Sequence, residues 1–185
     1  MPIITIREIF DLIIMTMALG YILSGLGKQK TIESYLNPIS AWDDIKFSML
    51  VTAPGVILHE LGHKFVALLL GLKAEFFASY FGLGLGVLLK LMSSPLLIFV
   101  PGYVSVSAST PLQSSITAFA GPFVNLLLWI LGFLMLKYKK GMKRKEMFGW
   151  FLIKKVNMIL FLFNMIPIPP FDGFQVFFGL YRILF

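Results

Sequence analysis

GVILHELGHKFVALLLG, residues 55–71, carries two histidines, a glutamate and a lysine in a run that is otherwise aliphatic, aromatic or glycine. His59 and His63 are also the only two histidines of the chain. Ionisable side chains are costly inside an apolar segment and commonly mark function there. The segment is either a hydrophobic helix with accidental polar residues or a helix that exists to carry His59, Glu60 and His63. The composition around it favours the second interpretation.

The composition of the chain is that of an integral membrane protein. Of its 185 residues, 58% are hydrophobic, whereas soluble domains contain roughly 45–50% of such residues. The length suggests a single membrane-embedded domain, residues 1–185. There is no cysteine, which excludes a disulfide, a thiolate metal site and a cysteine nucleophile.

The basic residues are concentrated in one place. The formal net charge is +7, and eight of the sixteen lysines and arginines lie between Lys137 and Lys155. A basic stretch next to long apolar segments is typical of a loop that faces anionic lipid headgroups. We therefore expect the lipid bilayer as a partner and no nucleic acid.

Four apolar segments are candidates for membrane spans, which need about 20 residues each. They are approximately Ile9–Leu26, Phe47–Leu72, Pro111–Leu136 and a segment that begins near Val156. Pro54 and Gly55 are expected to kink the second one. We predict an all-α polytopic protein with about four transmembrane helices in the cell membrane. Its first helix is expected to be retained rather than cleaved as a signal peptide.

The region between the second and third segments has a different pattern. AEFFASYFG (74–82) and GYVSVSAS (102–109) are rich in aromatic and β-branched residues, and the second alternates valine and serine as half-buried strands do. GLGLGVLLKLM (82–92) between them is apolar but short. We predict a small membrane-associated β-hairpin or sheet with a short helix or loop between its strands.

Three prolines, Pro167, Pro169 and Pro170, break the fourth apolar segment. Non-helical backbone at membrane depth is tolerated only where protein covers it or where it lines a watery cavity. The break is therefore a candidate position for a functional site.

The spacing of HELGH (59–63) predicts a metal site. Residues i and i+4 lie on one face of a helix, so His59 and His63 can direct imidazole nitrogens at one Zn²⁺ ion. Glu60 is rotated from His59 by about 100° and would lie beside the ion. There it can act as the general base toward a zinc-activated water and later protonate a leaving amine. We expect one zinc ion per chain.

A catalytic zinc site takes three protein ligands, so one more is needed. The acids near apolar segments are Asp11, Glu75 and Asp172. Asp11 lies near the end of the first helix, where an exposed carboxylate costs little, and Glu75 lies just past the end of the second. Asp172 lies in the proline-broken segment and precedes Gly173, which makes it the strongest candidate for the third ligand.

Three motifs in this order resemble the site-2 protease family of intramembrane zinc metalloproteases. They are HELGH (59–63), AGPFVN (120–125) and NMIPIPPFDG (164–173), the last of which fits the pattern N-x-x-P-x-x-x-x-D-G. The resemblance covers approximately residues 47–180, the predicted catalytic core, and leaves 1–46 as the first helix and its connecting loop. It implies an endopeptidase that cleaves membrane proteins in or near their transmembrane helices.

The resemblance assigns the same three ligands and the same base as the residue pattern does, and it adds two asparagines. Asn164 resembles the family asparagine near the scissile bond, which can hydrogen-bond substrate backbone or an oxyanion. Asn125 resembles the other motif asparagine, for which substrate contact and a helix–helix hydrogen bond are both open. The strands after the HELGH helix would pair with an unwound substrate segment.

A metal-binding membrane transporter and an inactive membrane scaffold are the alternative functions. A transporter does not need a glutamate beside the histidine, and the intact Glu60 argues against an inactive scaffold.

Two arguments about the membrane orientation of the chain contradict each other. The basic stretch Lys137–Lys155 predicts a cytoplasmic position for itself and hence an outside position for residues 73–110. The family resemblance implies instead that the strands lie on the cytoplasmic side.

Overall fold

The computed structural model describes residues 3–25, 40–94, 100–107 and 109–185. Most of the loop predicted to follow the first helix, residues 26–39, lies outside the described residues. In chain order the elements are α1 (Ile6–Leu23), α2 (Ala41–Val51), α3 (Ala53–Leu69), β1 (Ala74–Ala78), α4 (Tyr80–Leu91), β2 (Gly102–Val106), α5 (Pro111–Tyr138), α6 (Arg144–Asn164) and α7 (Asp172–Leu184).

The chain divides into two compact units. The first comprises Met1–Pro54 and Ala78–Gly102, and the second comprises Gly55–Phe77 and Tyr103–Phe185. In the first unit α1 packs against α2 and α4, and in the second unit α5 packs against α6 and α7. The single membrane-embedded domain, residues 1–185, stays a prediction.

The first unit is built on α1, whose two ends are both capped. At its N-terminus Thr5 and Glu8 form a capping box, in which the Glu8 carboxylate accepts from the Thr5 backbone N–H at 2.7 Å. At its C-terminus the Lys90 ammonium donates to the Ser24 carbonyl, which helix geometry leaves without an intrahelical partner. These bonds fix where α1 begins and ends.

Asp11 on α1 corrects a prediction. The sequence suggested an exposed carboxylate, but the residue is 1% exposed. One carboxylate oxygen accepts from the Ala78 backbone N–H at 3.2 Å, the other accepts from the Tyr80 hydroxyl, and Arg7 lies 3.9 Å away. Tertiary partners that are distant in sequence therefore satisfy a carboxylate that would otherwise be too costly to bury.

Where the sequence predicts a kink at Pro54 and Gly55, the second apolar segment is divided into two helices just before the proline. α2 ends at Val51 and α3 begins at Ala53, with Thr52 between the two helices. Pro54 consequently lies in the first turn of α3, where its missing N–H would have had no partner. HELGH lies in the middle of α3.

The predicted small sheet is present and consists of two antiparallel strands, β1 and β2. The Ser107 backbone N–H donates to the Lys73 carbonyl at 2.9 Å, and in the same register Phe77 stacks on Tyr103 with ring centroids 5.5 Å apart. α4 lies between the strands in the chain and corresponds to the predicted short helix. The prediction of a mostly helical chain with one small sheet is confirmed.

The third apolar segment forms α5, a helix of 28 residues. Thr110 and Gln113 form a capping box at its start, and Pro111 occupies the first helical position, where proline is favoured. The predicted bounds, Pro111 to Leu136, agree with the helix to within two residues. Pro111 marks its start, and the change from apolar to basic residues marks its end.

The fourth apolar segment begins earlier than predicted. α6 starts at Arg144 rather than near Val156, so the basic loop is reduced to residues 139–143. Lysine, arginine, methionine and glutamate are good helix formers, and an apolar composition is not needed for a helix to start. Glu146 in the first turn also pairs with Lys139.

One helix of the described residues, α5, is long and apolar enough to cross a membrane. α1 has 18 residues but contains Arg7, Glu8 and Asp11, and α3 has 17 residues. The arrangement with about four transmembrane helices therefore stays a prediction.

We predict that Asp11→Ala lowers the free energy of unfolding by about 1–3 kcal/mol, because the buried Ala78 N–H and the Tyr80 hydroxyl lose their acceptor. Asp11→Asn should cost less, since the amide can accept from Ala78 and donate to the Tyr80 oxygen. Thermal unfolding of the purified protein in detergent measures both. Asp43→Ala, which removes an exposed acid paired with Lys46, is the control and should change stability by less than about 1 kcal/mol. Equal losses for Asp11→Ala and Asp43→Ala would contradict the proposed role of Asp11.

Candidate metal centre

His59 and His63 lie one turn apart on α3 and point in the same direction, as the spacing predicts. Their ring centroids are 4.7 Å apart, the ring planes are nearly perpendicular at 86°, and the two Nε2 atoms are 3.1 Å apart. Both side chains are buried. The helix therefore directs two imidazole nitrogens at one point.

Asp172, the first residue of α7, completes the cluster. Its Oδ2 atom lies 3.1 Å from His59 Nε2 and 3.4 Å from His63 Nε2. A Cβ on the next residue, Gly173, would lie 2.5 Å from the Met165 carbonyl carbon, so glycine is what allows α7 to begin against the end of α6. Of the three acids considered from the sequence, only Asp172 joins the histidines within the described ranges.

Hydrogen bonds outside the cluster determine where each imidazole carries its hydrogen. His63 Nδ1 lies 2.8 Å from the Thr117 carbonyl oxygen, and His59 Nδ1 lies 2.6 Å from Asn125 Oδ1. The Asn125 oxygen is identified because the amide nitrogen donates to the Gly55 carbonyl. Since these oxygens only accept, both Nδ1 atoms donate, and a neutral imidazole then has its lone pair on Nε2.

When both imidazoles are neutral, three acceptor atoms converge on one point: the two Nε2 atoms and a carboxylate oxygen. Such groups repel each other unless a cation lies between them. Zn²⁺ bound at about 2.0–2.1 Å in a tetrahedral site holds its ligand atoms about 3.3 Å apart. The observed separations of 3.1, 3.1 and 3.4 Å fit this spacing. Two imidazoles and one carboxylate are also the donor set of a catalytic zinc site that keeps one position open.

One face of α5 supports both histidines. Thr117, Gly121 and Asn125 follow each other at intervals of four residues. The first holds His63 through its carbonyl, and the third holds His59 through its amide. A Cβ on Gly121 would overlap His63 Nε2 and lie 2.8 Å from His59 Cε1. Glycine at this position leaves the space that the ring nitrogens and an ion between them need.

Glu60, the predicted base, lies on α3 next to the metal-facing residues. It is 7% exposed, and its carboxylate has no hydrogen-bond partner in the part of the chain that the structure describes. No protein donor in these ranges therefore competes for the proton-accepting oxygens.

The two motif asparagines occupy different environments. Asn164 is the last residue of α6 and is half-buried, and its side-chain amide has no partner among the residues described. Asn125 is fully buried, and it uses its amide on His59, on the Gly55 carbonyl and on Asn157. These bonds favour the helix–helix interpretation of Asn125, while substrate contact by Asn164 stays a prediction.

The sequence analysis missed one partner of the histidines, Thr117, and one residue that bonds to Asn125 behind them, Asn157. Thr117 acts through its main-chain carbonyl, which no residue type announces. Asn157 lies in an apolar stretch of α6 and is 1% exposed. A polar residue in such a stretch is a recognisable signal, and the rule that identified the histidines would have identified it too.

The comparisons with known proteins indicate a zinc metalloprotease. A sequence model of peptidase family M50 matches residues 47–149, which include HELGH and Asn125 and end before Asp172. A protein of Methanocaldococcus jannaschii named "Putative zinc metalloprotease" is 38% identical over 177 residues, which are 92% of this chain and 83% of that protein.

Two bacterial proteins with the same name match shorter parts. The Bacillus subtilis protein is 36% identical over 73 residues, which are 35% of this chain and 33% of that protein. The Synechocystis protein is 30% identical over 128 residues, which are 69% of this chain and 29% of that protein. No solved structure matches the chain.

We predict that Gly121→Ala weakens zinc binding by about 10–100-fold or more, because the methyl group occupies the space between the histidine rings. Competition with a chromophoric chelator on the purified protein measures the affinity. Gly84→Ala is the matched control, since a Cβ at that helical glycine would meet no atom within 4 Å. Wild-type affinity in Gly121→Ala would show that the ion does not lie between these rings.

Proposed function

The chain belongs to peptidase family M50, the site-2 protease family, and we propose that it is a zinc-dependent endopeptidase that hydrolyses peptide bonds in or near the transmembrane helices of membrane proteins. The observation that carries the proposal is the convergence of His59 Nε2, His63 Nε2 and Asp172 Oδ2 at 3.1–3.4 Å. Glu60 lies on the same helix as the two histidines.

In this proposal His59, His63 and Asp172 hold one zinc ion per chain. When bound, zinc supplies Lewis-acid polarisation of the scissile carbonyl and activation of a water molecule. The Thr117 carbonyl and the Asn125 amide keep both Nε2 atoms directed at the centre, since each holds the opposite nitrogen of one ring.

Glu60 moves the proton. It accepts a proton from the attacking water and donates it to the amine that leaves when the peptide bond breaks. Burial without a hydrogen-bond partner among the described residues suits it to this exchange. Asn164 contacts the substrate backbone near the scissile bond, where its amide N–H can stabilise a developing oxyanion.

The outward face of α5 supports a position in the membrane. No charged residue occurs in the helix before Lys137. Soluble proteins rarely expose a contiguous apolar face of this length. The exposed side chains along it are Leu112, Ile116, Phe119, Phe123, Leu127, Ile130 and Leu134. We propose a multi-pass protein of the cell membrane with about four crossings, one of which is α5.

The proposed substrate is a transmembrane helix of another protein. Such a helix satisfies its carbonyls internally, so a segment must unwind before a peptide bond can be attacked. In the described residues β1 and β2 pair only with each other. Their outer edges can therefore bind an unwound segment as an added strand, and β1 follows α3 after a short turn.

We predict that Glu60→Gln retains zinc and loses about 10²–10⁴-fold of its cleavage rate, because the amide cannot accept the proton. The assay combines zinc analysis with cleavage of a transmembrane peptide by the purified protein in detergent. Glu146→Gln, the same change at the residue that pairs with Lys139, is the control and should cleave normally. Cleavage by Glu60→Gln at the wild-type rate would refute the proposed mechanism.

A further inference from the structure

Asn157 on α6 belongs to the metal centre although it lies behind it. We infer that Asn157 is a positioning residue that acts through Asn125 to orient His59 and so sets the zinc affinity of the site. The inference rests on the metal-binding part of the proposed function and does not depend on proteolysis. It assigns a role to a residue outside the three sequence motifs.

Asn157 is held in one orientation. Its Nδ2 donates to the Ile153 carbonyl one turn earlier on α6 at 2.8 Å, and a carbonyl can only accept. Its Oδ1 must therefore be the atom that faces Asn125, where it accepts from the Asn125 amide at 2.8 Å. The side chain is 1% exposed, so water does not compete for these bonds.

The orientation of Asn157 in turn fixes the orientation of the Asn125 amide next to His59. Its amide nitrogen has two hydrogens, and the structure gives one to Asn157 and the other to the Gly55 carbonyl at 3.0 Å. With both hydrogens used on one side, Oδ1 is turned toward His59 Nδ1 at 2.6 Å. The amide cannot flip without placing its nitrogen against the His59 N–H and its oxygen against two acceptors.

The hydrogen bonds run in one direction, from His59 through Asn125 and Asn157 to the Ile153 carbonyl. Each bond polarises the next, which makes Asn125 Oδ1 a stronger acceptor for the imidazole N–H. A stronger acceptor at Nδ1 makes the opposite nitrogen, Nε2, more basic and fixes the ring plane. Asn157 therefore bears on a metal ligand that it does not touch.

Gly55 makes room for the connection. A Cβ on Gly55 would lie 2.8 Å from Asn157 Oδ1, closer than Cβ atoms normally approach, and 3.2 Å from Asn157 Nδ2, which is a tight contact. The Gly55 carbonyl thus accepts a hydrogen bond from Asn125, and the absence of a side chain on Gly55 leaves space for Asn157.

The two histidines differ in how they are supported. His63 donates to the main-chain carbonyl of Thr117, which a substitution does not remove. His59 depends on two side chains in series. Variation at the two asparagines should therefore change the His59 half of the site and leave the His63 half in place.

The test compares zinc affinities of wild type, Asn157→Leu and Asn157→Asp by chelator competition on the full-length protein. Leucine has a similar shape but offers Asn125 no acceptor, so we expect the zinc affinity to fall about 3–30-fold. This loss lies at or below the roughly 10–100-fold loss typical of residues that bond directly to a metal ligand. Aspartate keeps an oxygen for Asn125 but cannot donate to the Ile153 carbonyl, so the zinc affinity of Asn157→Asp should fall less than that of Asn157→Leu. Equal losses in both variants would mean that packing, rather than the hydrogen bond, is what matters, and would overturn the inference.

A double-mutant cycle tests the order of the chain. If Asn157 acts only through Asn125, then Asn125→Ala with Asn157→Leu should bind zinc no more weakly than Asn125→Ala alone. Additive losses would overturn the inference, because they would make Asn157 independent of Asn125.

Ser48→Ala is the structural control. It removes another buried hydrogen bond, from Ser48 Oγ to the Leu23 carbonyl, outside the metal centre. It should lower thermal stability and leave zinc affinity unchanged, whereas a comparable affinity loss would overturn the inference. Failure of the proposed function is a separate result, seen as wild-type protein that binds zinc and does not cleave a transmembrane peptide.

Discussion

Three hydrogen-bond acceptors that face each other in a buried place are the constraint on which the rest of the centre depends. The Nε2 atoms of His59 and His63 and the Oδ2 atom of Asp172 lie within 3.1–3.4 Å of each other. Because both Nδ1 hydrogens are used elsewhere, neutral imidazoles place only lone pairs between the three atoms. A cation relieves the repulsion, and Zn²⁺ suits two imidazoles with one carboxylate.

α5 is the element that makes this arrangement possible. Its residues at 117, 121 and 125 form one line on the helix surface and give, in order, a carbonyl, an empty space and an amide. Thr117 and Asn125 accept hydrogen bonds from the Nδ1 atoms of the two histidines, and Gly121 leaves space beside their Nε2 atoms. The same helix has an apolar outward face, so one element relates the metal centre to the proposed membrane position.

The sequence predicted the parts of the centre whose chemistry restricts the residue type. Histidines at i and i+4 and an acid in a proline-broken segment are costly in so apolar a chain unless they bind something, and the structure brings His59, His63 and Asp172 together. The two-stranded sheet followed from alternation, and the bounds of α5 followed from the apolar segment between Pro111 and the basic stretch. These signals are local and need no knowledge of the tertiary fold.

The features that the sequence did not predict depend on tertiary contacts. Asp11 is buried because donors near residues 78 and 80 reach it. The start of α6 lies among charged residues, where apolar periodicity has no signal. The Thr117 carbonyl is present in every residue type, so only the approach of α3 to α5 gives it a role. Asn157 is recognisable in the sequence as a polar residue in an apolar stretch, but only its hydrogen bond to Asn125 indicates what it does.

The central claim, that these two histidines and this aspartate hold one zinc ion, is tested most directly by X-ray absorption at the zinc edge of protein purified without added metal. The account predicts one zinc per chain, with nitrogen and oxygen neighbours at about 2.0–2.1 Å. It also predicts the outer scattering of two imidazole rings. A chain that purifies without zinc and takes up none, or zinc whose spectrum lacks imidazole scattering, would contradict it.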